Sequence, residues 1–508
     1  MKFLRKILFN RVAIITSSLV LQLLFLLAML AFLRDYSQLF YGVGILISIL
    51  AILWIVYNDS NPAYKIAWVI PIALMPIFGG LFYLSFGGNQ LSKKEKARMR
   101  QIDVVTREKL KKRPDLIEEI NETNTHAAQQ ARYVQEFGPY PTYKAQKTEY
   151  FKIGEENFIK MKEELNKAEK FIFMEYFIIE EGIMWNDILD ILESKVKEGL
   201  DVRVIFDDLG CLLKLPEHYE KLLRKKGIKC CVFNPLIPII SSKYNTRDHR
   251  KITVIDGHTA FTGGINLADE YINEVTKFGH WKDMGLMIKG EAVWSFTVMF
   301  LSLWDYLTSS VSDYDQYQYT GKSEGGCGYI QPYSDNPLDN EAVGENVYLN
   351  MINKAERYVY ITTPYLIIDS EMVTALCNAS KNGVDVKIIT PGMADKWYVH
   401  HVSRSYYEKL HKNGVTILEY TPGFMHGKNF VVDDQYAVVG TINMDFRSLY
   451  LHFECGVWMY KTSTVLDVKS DFLETEKVCR EIEEEDFKHI GVFKILIGLI
   501  LRLFAPLM

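Results

Sequence analysis

Apolar positions fall into two regimes along the chain. Near the start they form long uncharged runs, 12–33, 39–57 and 66–86. Each approaches the ~20 residues that a helix needs to cross a bilayer. Arg34 and Asp35 separate the first two runs, and Pro71, Pro76 and the pair Gly79-Gly80 interrupt the third. From about residue 146 the pattern changes to short apolar strands alternating with amphipathic stretches, which predicts an α/β fold. A last apolar stretch, 490–508, carries Lys494 and Arg502 near one helical face and reads as an amphipathic helix lying in a membrane interface. The expected organisation is a membrane-anchoring region over 1–90, a basic juxtamembrane linker or helix over 91–145, two units over 146–330 and 331–485, and the terminal helix over 486–508.

The two soluble units read as copies of one another. Ala168-Glu169-Lys170-Phe171-Ile172-Phe173 returns as Ala355-Glu356-Arg357-Tyr358-Val359-Tyr360, and Gly199-Leu200-Asp201-Val202-Arg203-Val204-Ile205 as Gly383-Val384-Asp385-Val386-Lys387-Ile388-Ile389. Phe171, Phe173, Tyr358 and Tyr360 alternate as buried strand residues do. The order strand, helix, strand, helix, strand, motif strand occurs twice, so each copy is expected to form a sheet flanked by helices, the pair packing about a pseudo-twofold axis.

The motif strands carry the chemistry. His249-Arg250-Lys251 leads to Asp256 and then Gly263-Gly264-Ile265-Asn266; His426-Gly427-Lys428 leads to Asp433 and then Gly440-Thr441-Ile442-Asn443. Both have the form His-x-Lys-x-x-x-x-Asp. Side chains two apart on a strand share a face, so each copy sets an imidazole beside an ammonium group. Two such pairs at one cleft would suit a phosphate ester. Asp283 follows the first motif and Glu454 the second at similar separations; an acid on the far ring nitrogen fixes an imidazole's tautomer and orientation.

Charge and composition narrow the field. The chain has 508 residues, too many for one ordinary domain, and a net charge of −5 with 48% apolar residues. No basic excess marks a nucleic-acid partner. Seven cysteines without C-x-x-C spacing read as reduced, mostly buried thiols, and no His/Cys/carboxylate spacing suggests a metal. A cleaved signal peptide is disfavoured, because the first apolar run exceeds the usual length and two more follow. Lys2, Arg5, Lys6 and Arg11 favour a cytoplasmic start, while Lys93, Lys94, Lys96, Arg98 and Arg100 favour cytoplasm after the third run. Three full spans cannot satisfy both: either the third run re-enters or the start lies outside. The expectation adopted is three spans with the second cluster and the soluble units in the cytoplasm. The basic excess over 93–113 reads as contact with anionic headgroups.

Both motifs resemble those of the phospholipase D superfamily. The hydrophobic first region, Phe261-Thr262-Gly263-Gly264-Ile265-Asn266, Thr363-Pro364-Tyr365 and Asp445-Phe446-Arg447-Ser448-Leu449 resemble bacterial cardiolipin synthases within it. The resemblance implies phosphatidylglycerol as substrate, cardiolipin as product, an anionic membrane surface as partner, and no nucleic acid, metal or other cofactor. It implies His249 as nucleophile through a phosphatidyl-histidine, and His426 as general acid and then base. Lys251, Lys428, Asn266 and Asn443 would hold the phosphate oxygens, and Asp283 and Glu454 would orient the imidazoles. Asp256 and Asp433 complete the catalytic motif as anchors of the strand ends. A phospholipase D-type hydrolase or another phosphatidyltransferase would share every one of these residues. A nuclease and a lipid-binding scaffold fit the membrane segments and the two complete motifs less well.

Overall fold

The computed structural model describes residues 38–75, 79–80, 83, 93–236, 242–321, 326–339, 341–488 and 492–507, with scattered positions between 17 and 28. Most of the apolar run 12–33 therefore lies outside the described residues.

The repeat folds into two sheets with one strand order. In the first unit neighbouring strands are Lys147–Phe151, Gly285–Lys289, Thr259–Gly263, Lys251–Ile255, Phe171–Tyr176, Asp201–Asp207 and Lys229–Phe233. The second unit repeats that order with Tyr329–Asp335, Glu454–Tyr460, Tyr436–Gly440, Asn429–Val432, Tyr358–Thr362, Asp385–Pro391 and Thr416–Tyr420, and adds Tyr143–Lys144 and Cys479–Glu481 at its edges. The last three core strands of each sheet are parallel, as strand–helix–strand crossovers require. The two sheets share a continuous apolar core. Between them runs Val293–Thr308, whose first thirteen residues are buried; its sequence is apolar on every side because every side meets protein. Phe173 stacks on Phe300 of this helix at 4.6 Å and Tyr360 on Phe472 at 4.7 Å, so the alternating aromatics are core residues. All seven cysteines are free thiols, with only Cys327 exposed.

Two boundaries differ from the sequence reading. The first core strand of the second unit begins at Tyr329, and the stretch before the first unit belongs to the second one. Tyr143 pairs with Ile330, Asn124 donates to the Tyr436 hydroxyl at 2.8 Å, and Gln331 donates to the carbonyls of Ala131 and Tyr140. Amphipathic helices announce an apolar face but not the surface that covers it. The helix Lys93–Lys109 is likewise held by protein. Arg98 donates to the Tyr306 carbonyl at 3.1 Å, Lys109 pairs with Asp315 at 2.8 Å, and Trp294 donates to the Lys109 carbonyl at 3.0 Å. For Arg98 and Lys109 the expected headgroup contact is thus replaced by contacts within the chain.

The third apolar run is not one helix. Pro62–Leu74 has 13 residues, about 20 Å at 1.5 Å per residue, and the chain then folds back along it. A Cβ on Gly79 would lie 2.5 Å from the Ile72 Cα, and the Tyr83 ring lies 5.2 Å from Trp68. Positions 72 with 79 and 68 with 83 are the contacts of two antiparallel arms. Gly79 and Gly80 are glycines because a side chain there would strike the Ile72 backbone and Ser48 of the neighbouring helix Gln38–Tyr57; small residues permit such close approach. The loop before the hairpin docks on the second unit, with Asn61 donating to Asp369 and to the Tyr450 hydroxyl at 2.9 Å each. Among the described residues no helix is long and apolar enough to cross a membrane; side chains of Gln38–Tyr57 are described only from residue 42. The terminal helix Val492–Leu503 lies against Trp397–His411, with Arg502 over the Tyr406 ring at 4.4 Å. Leu499, Ile500 and Leu503 stay exposed on it, as does Phe504 just beyond its end.

Candidate active site

Both motif histidines sit in the lead-in to their strands, not in the strands themselves. The regular strands begin at Lys251 and at Asn429. Each lead-in is instead hydrogen-bonded to the other unit. His249 N donates to the Phe453 carbonyl at 2.9 Å and Phe453 N to the Arg247 carbonyl at 2.8 Å. His426 N donates to the Lys282 carbonyl at 2.8 Å, continuing the parallel pairing of Gly423–Met425 with His280–Lys282.

This exchange crosses the acids over. His249 Nδ1 lies 2.8 Å from Glu454 Oε1, and His426 Nδ1 lies 2.6 Å from Asp283 Oδ2. Each imidazole is held by the carboxylate of the opposite repeat, so neither unit alone has a complete histidine–acid pair. The glycine signatures follow from this. Gly264 lies against the Asp283 carboxylate, where a Cβ would fall 1.9 Å from Oδ1. Thr441 occupies the matching position in the second unit and donates its hydroxyl to Glu454. The pattern Gly-Gly in one copy and Gly-Thr in the other is therefore fitted to Asp in one and Glu in the other.

The lysines complete the site. Lys251 Nζ donates to the His249 carbonyl at 2.7 Å, and Lys428 Nζ lies 2.8 Å from His426 Nδ1. All four side chains are buried. Burial and the nearby Lys251 ammonium drive the His249 imidazole well below its ordinary range. Burial and Lys428 lower His426 to about 4, against the opposing pull of Asp283. Burial brings Lys251 down to about 8, and burial with Lys251 nearby brings Lys428 down to about 7. Burial lifts the Glu454 carboxyl to about 8, against Lys251 and Thr441. The site thus crowds two lysines whose positive charge burial opposes, the arrangement expected of a phosphate receptor.

An anion binding here favours both ammonium forms. Below pH 7 both lysines already carry their protons; above pH 8 binding must take protons from water. Sulfate, whose charge is fixed across this range, should therefore raise the melting temperature of the full chain most below pH 7. The gain should shrink as pH rises through 7 to 8 and vanish in Lys428→Met. A sulfate shift indifferent to pH would place the anion elsewhere.

Asp256 and Asp433 stand away from this chemistry. Asp256 accepts from the backbone N–H groups of Glu169, Lys170 and Phe171, and Asp433 from those of Glu356, Arg357 and Tyr358. Each clamps the strand that pairs with its motif strand. Asn266 accepts from Ile178 N at 3.0 Å and donates to the Tyr271 hydroxyl at 2.7 Å, and Asn443 donates to Asp445 at 3.0 Å. Both asparagines are thus anchored to protein, with amide hydrogens to spare.

Two members of the site were missed by sequence reasoning. Trp281 packs on His426 with ring centroids 5.2 Å apart, and His452 lies 5.8 Å from His249. Each stands two residues before its orienting acid, so alignment of the repeats could have found them as a pair. The ligand atoms of His249, His452 and Glu454 lie within 4.8 Å of one another, a grouping that residue spacing concealed.

Comparison with known proteins finds relatives in family and in fold. The chain matches the family described as cardiolipin synthase, phospholipase D-like domain, over residues 161–304 and 348–475. It matches the phospholipase D-nuclease N-terminal family over 46–88. An uncharacterised protein of Streptococcus mutans is 45% identical over 90% of this chain and 99% of its own length. A cardiolipin synthase of Alkalihalophilus pseudofirmus is 34% identical over 89% of this chain and 91% of its own. One from a Geobacillus species is 34% identical over 96% and 99%. Among solved structures, the phosphatidylserine synthase of Haemophilus influenzae covers 74% of this chain and 96% of its own, with a TM-score of 0.58 and 16% identity, a likeness of fold.

Proposed function

The chain belongs to the phospholipase D-like cardiolipin synthase family, and from that premise we propose that it converts two phosphatidylglycerol molecules into cardiolipin and glycerol. The observation that carries the chemistry is the crossed site: two buried imidazoles, each held by the other repeat's carboxylate and each beside a lysine. With Nδ1–H donated to Glu454, His249 presents the Nε2 lone pair to phosphorus. The N–P bond forms as the bond from phosphorus to the glycerol oxygen breaks, and His426 gives that oxygen its proton. The entering phosphate supplies the negative charge that lets His426 take up a proton against its burial. Lys251 and Lys428 hold the non-bridging oxygens, where charge builds in the transition state, with the free amide hydrogens of Asn266 and Asn443 beside them. A second phosphatidylglycerol then brings its terminal hydroxyl; His426 removes the proton, the new P–O bond forms and His249 leaves. Asp256 and Asp433 fix the strands from which the motifs project. The test is the product. Liposomes with phosphatidylglycerol as the sole lipid should yield cardiolipin and glycerol in equal amounts, whereas phosphatidic acid would make the protein a hydrolase using the same residues.

The folded-back hairpin supports a membrane arrangement different from three spans. Asn61 before it and Arg98 after it both touch the catalytic body, so the chain between them starts and ends on one side of the bilayer. Runs 12–33 and 39–57 are then the two crossings, and the basic residues at 2–11 and 93–100 share the cytoplasmic side. An impermeant thiol reagent should label Ser60→Cys, in a Cys327→Ser background, only after the inner face is opened. An epitope placed before residue 12 should be protected likewise. Labelling of either from outside intact cells would restore three spans.

A further inference from the structure

A cavity of about 730 Å³ opens where the hairpin loop, the helix Lys93–Lys109 and the second unit meet, within the ~300–1,000 Å³ usual for ligand pockets. Its walls include Asn61, Tyr64 and Pro506, so it borders the elements assigned to the membrane. His452 lines it as well and stands beside His249. The His452 side chain is nine-tenths buried, yet neither ring nitrogen has a hydrogen-bond partner among the described residues. Its nearest carboxylate, Glu454 Oε1, is 3.9 Å away and already engaged by His249. A buried, unsatisfied imidazole costs free energy unless something else completes it. Arg100 also lines the cavity and is exposed, with no partner among the described residues. The remaining charged wall is acidic, with Asp335 and Asp339 both lifted by burial, to about 8 and about 6. Their carboxyl groups suit hydroxyls and repel a phosphate placed among them.

We propose that this cavity holds the glycerophosphate headgroup of the acceptor lipid, with the phosphodiester on Arg100 and the terminal hydroxyl on His452. The headgroup then reaches the phosphatidyl-histidine hydroxyl first, along a path from the membrane elements. Burial and the nearby Arg447 and Arg247 cations keep the His452 imidazole neutral, so it can accept the hydroxyl proton in a hydrogen bond without removing it. His452 is a positioning residue here; His426 remains the base. The assignment rests on the proposed synthase reaction and adds where its second substrate sits.

The experiment is partition of the covalent intermediate in the full-length protein, in mixed micelles of phosphatidylglycerol. Water gives phosphatidic acid, the acceptor lipid gives cardiolipin, and labelled free glycerol returns phosphatidylglycerol. His452→Ala should lower the ratio of cardiolipin to phosphatidic acid about tenfold, the size of one lost hydrogen bond to a polar partner, and should lower glycerol return as well. His452→Asn, whose amide restores a polar edge, should recover most of both. Arg100→Gln should lower the cardiolipin ratio about tenfold but spare glycerol return, because free glycerol has no phosphate. Arg132→Gln, a surface cation away from the cavity, should match the parent. An unchanged ratio in His452→Ala overturns the proposal, as does a proportional fall of every product, which would make His452 a prop for His249. Equal loss of both returns in Arg100→Gln overturns the phosphate assignment. Absence of cardiolipin from the parent protein overturns the synthase reading itself.

Discussion

His249→Ala and His426→Ala should each reduce cardiolipin formation by at least about 10³-fold, with different residues of activity. Removing His249 removes the nucleophile, so glycerol release stops and no lipid becomes covalently attached. Removing His426 leaves the nucleophile intact but withdraws the proton that the departing glycerol needs. A small amount of phosphatidyl-enzyme should then form and persist, because the base that activates the acceptor is also missing. Acid-quenched protein analysed by intact mass separates the two: an added phosphatidyl group in His426→Ala and none in His249→Ala. The reverse pattern would exchange the roles, which the near-symmetry of the site permits chemically. Full activity in either variant would remove the site from the reaction.

Asp283→Asn should slow the enzyme about 10²- to 10⁴-fold, the scale seen when an imidazole's orienting carboxylate is neutralised. The informative part is where the loss falls. Asp283 follows the His249 motif in sequence but holds His426 in space at 2.6 Å. The damage should therefore lie in proton delivery to the leaving group. A phosphatidyl donor carrying p-nitrophenol needs no such proton, and Asp283→Asn should release p-nitrophenol at nearly the parental rate. Glu454→Gln, which unsettles His249 itself, should be slow with either donor. Rescue of Glu454→Gln in place of Asp283→Asn would refute the crossed pairing. The alkaline limb of the rate profile, where His426 loses the proton it must donate, should also move in Asp283→Asn. His426 is already depressed to about 4 by burial and Lys428, and losing the carboxylate lowers it further. The protonated acid is then scarcer at any given pH, and the optimum shifts to more acidic values.

The hairpin shows where apolar pattern stops deciding. Pro71, Pro76 and Gly79-Gly80 marked the run 66–86 as broken, but a broken run can kink, cross or return. What the fold adds is the close fit of Gly79 on the Ile72 backbone and Tyr83 on Trp68, contacts between residues that no local periodicity relates. The helix Lys93–Lys109 makes the same point about charge. Its lysines and arginines read as a membrane-facing cluster, and the fold spends Arg98 on a carbonyl and Lys109 on an aspartate of the chain itself.

What the sequence determined by itself was the repeat, the α/β class and the candidate reacting groups. Strand alternation and the return of His-x-Lys-x-x-x-x-Asp are local patterns, and local patterns survive reading in one dimension. Alternating Phe171 and Phe173 had to be core, and paired His and Lys had to suit a phosphate. The tertiary structure alone decided which acid serves which histidine. That choice depends on the lead-in of each motif hydrogen-bonding across to the other unit, at Phe453 and at Lys282, more than 140 residues away in sequence. It also decided that Thr441 and Gly264 answer to Glu454 and Asp283, and that His452 is left unsatisfied beside His249. A lone histidine carries no sign of its surroundings until the chain that buries it has folded, because burial and partnership belong to packing, not to sequence position.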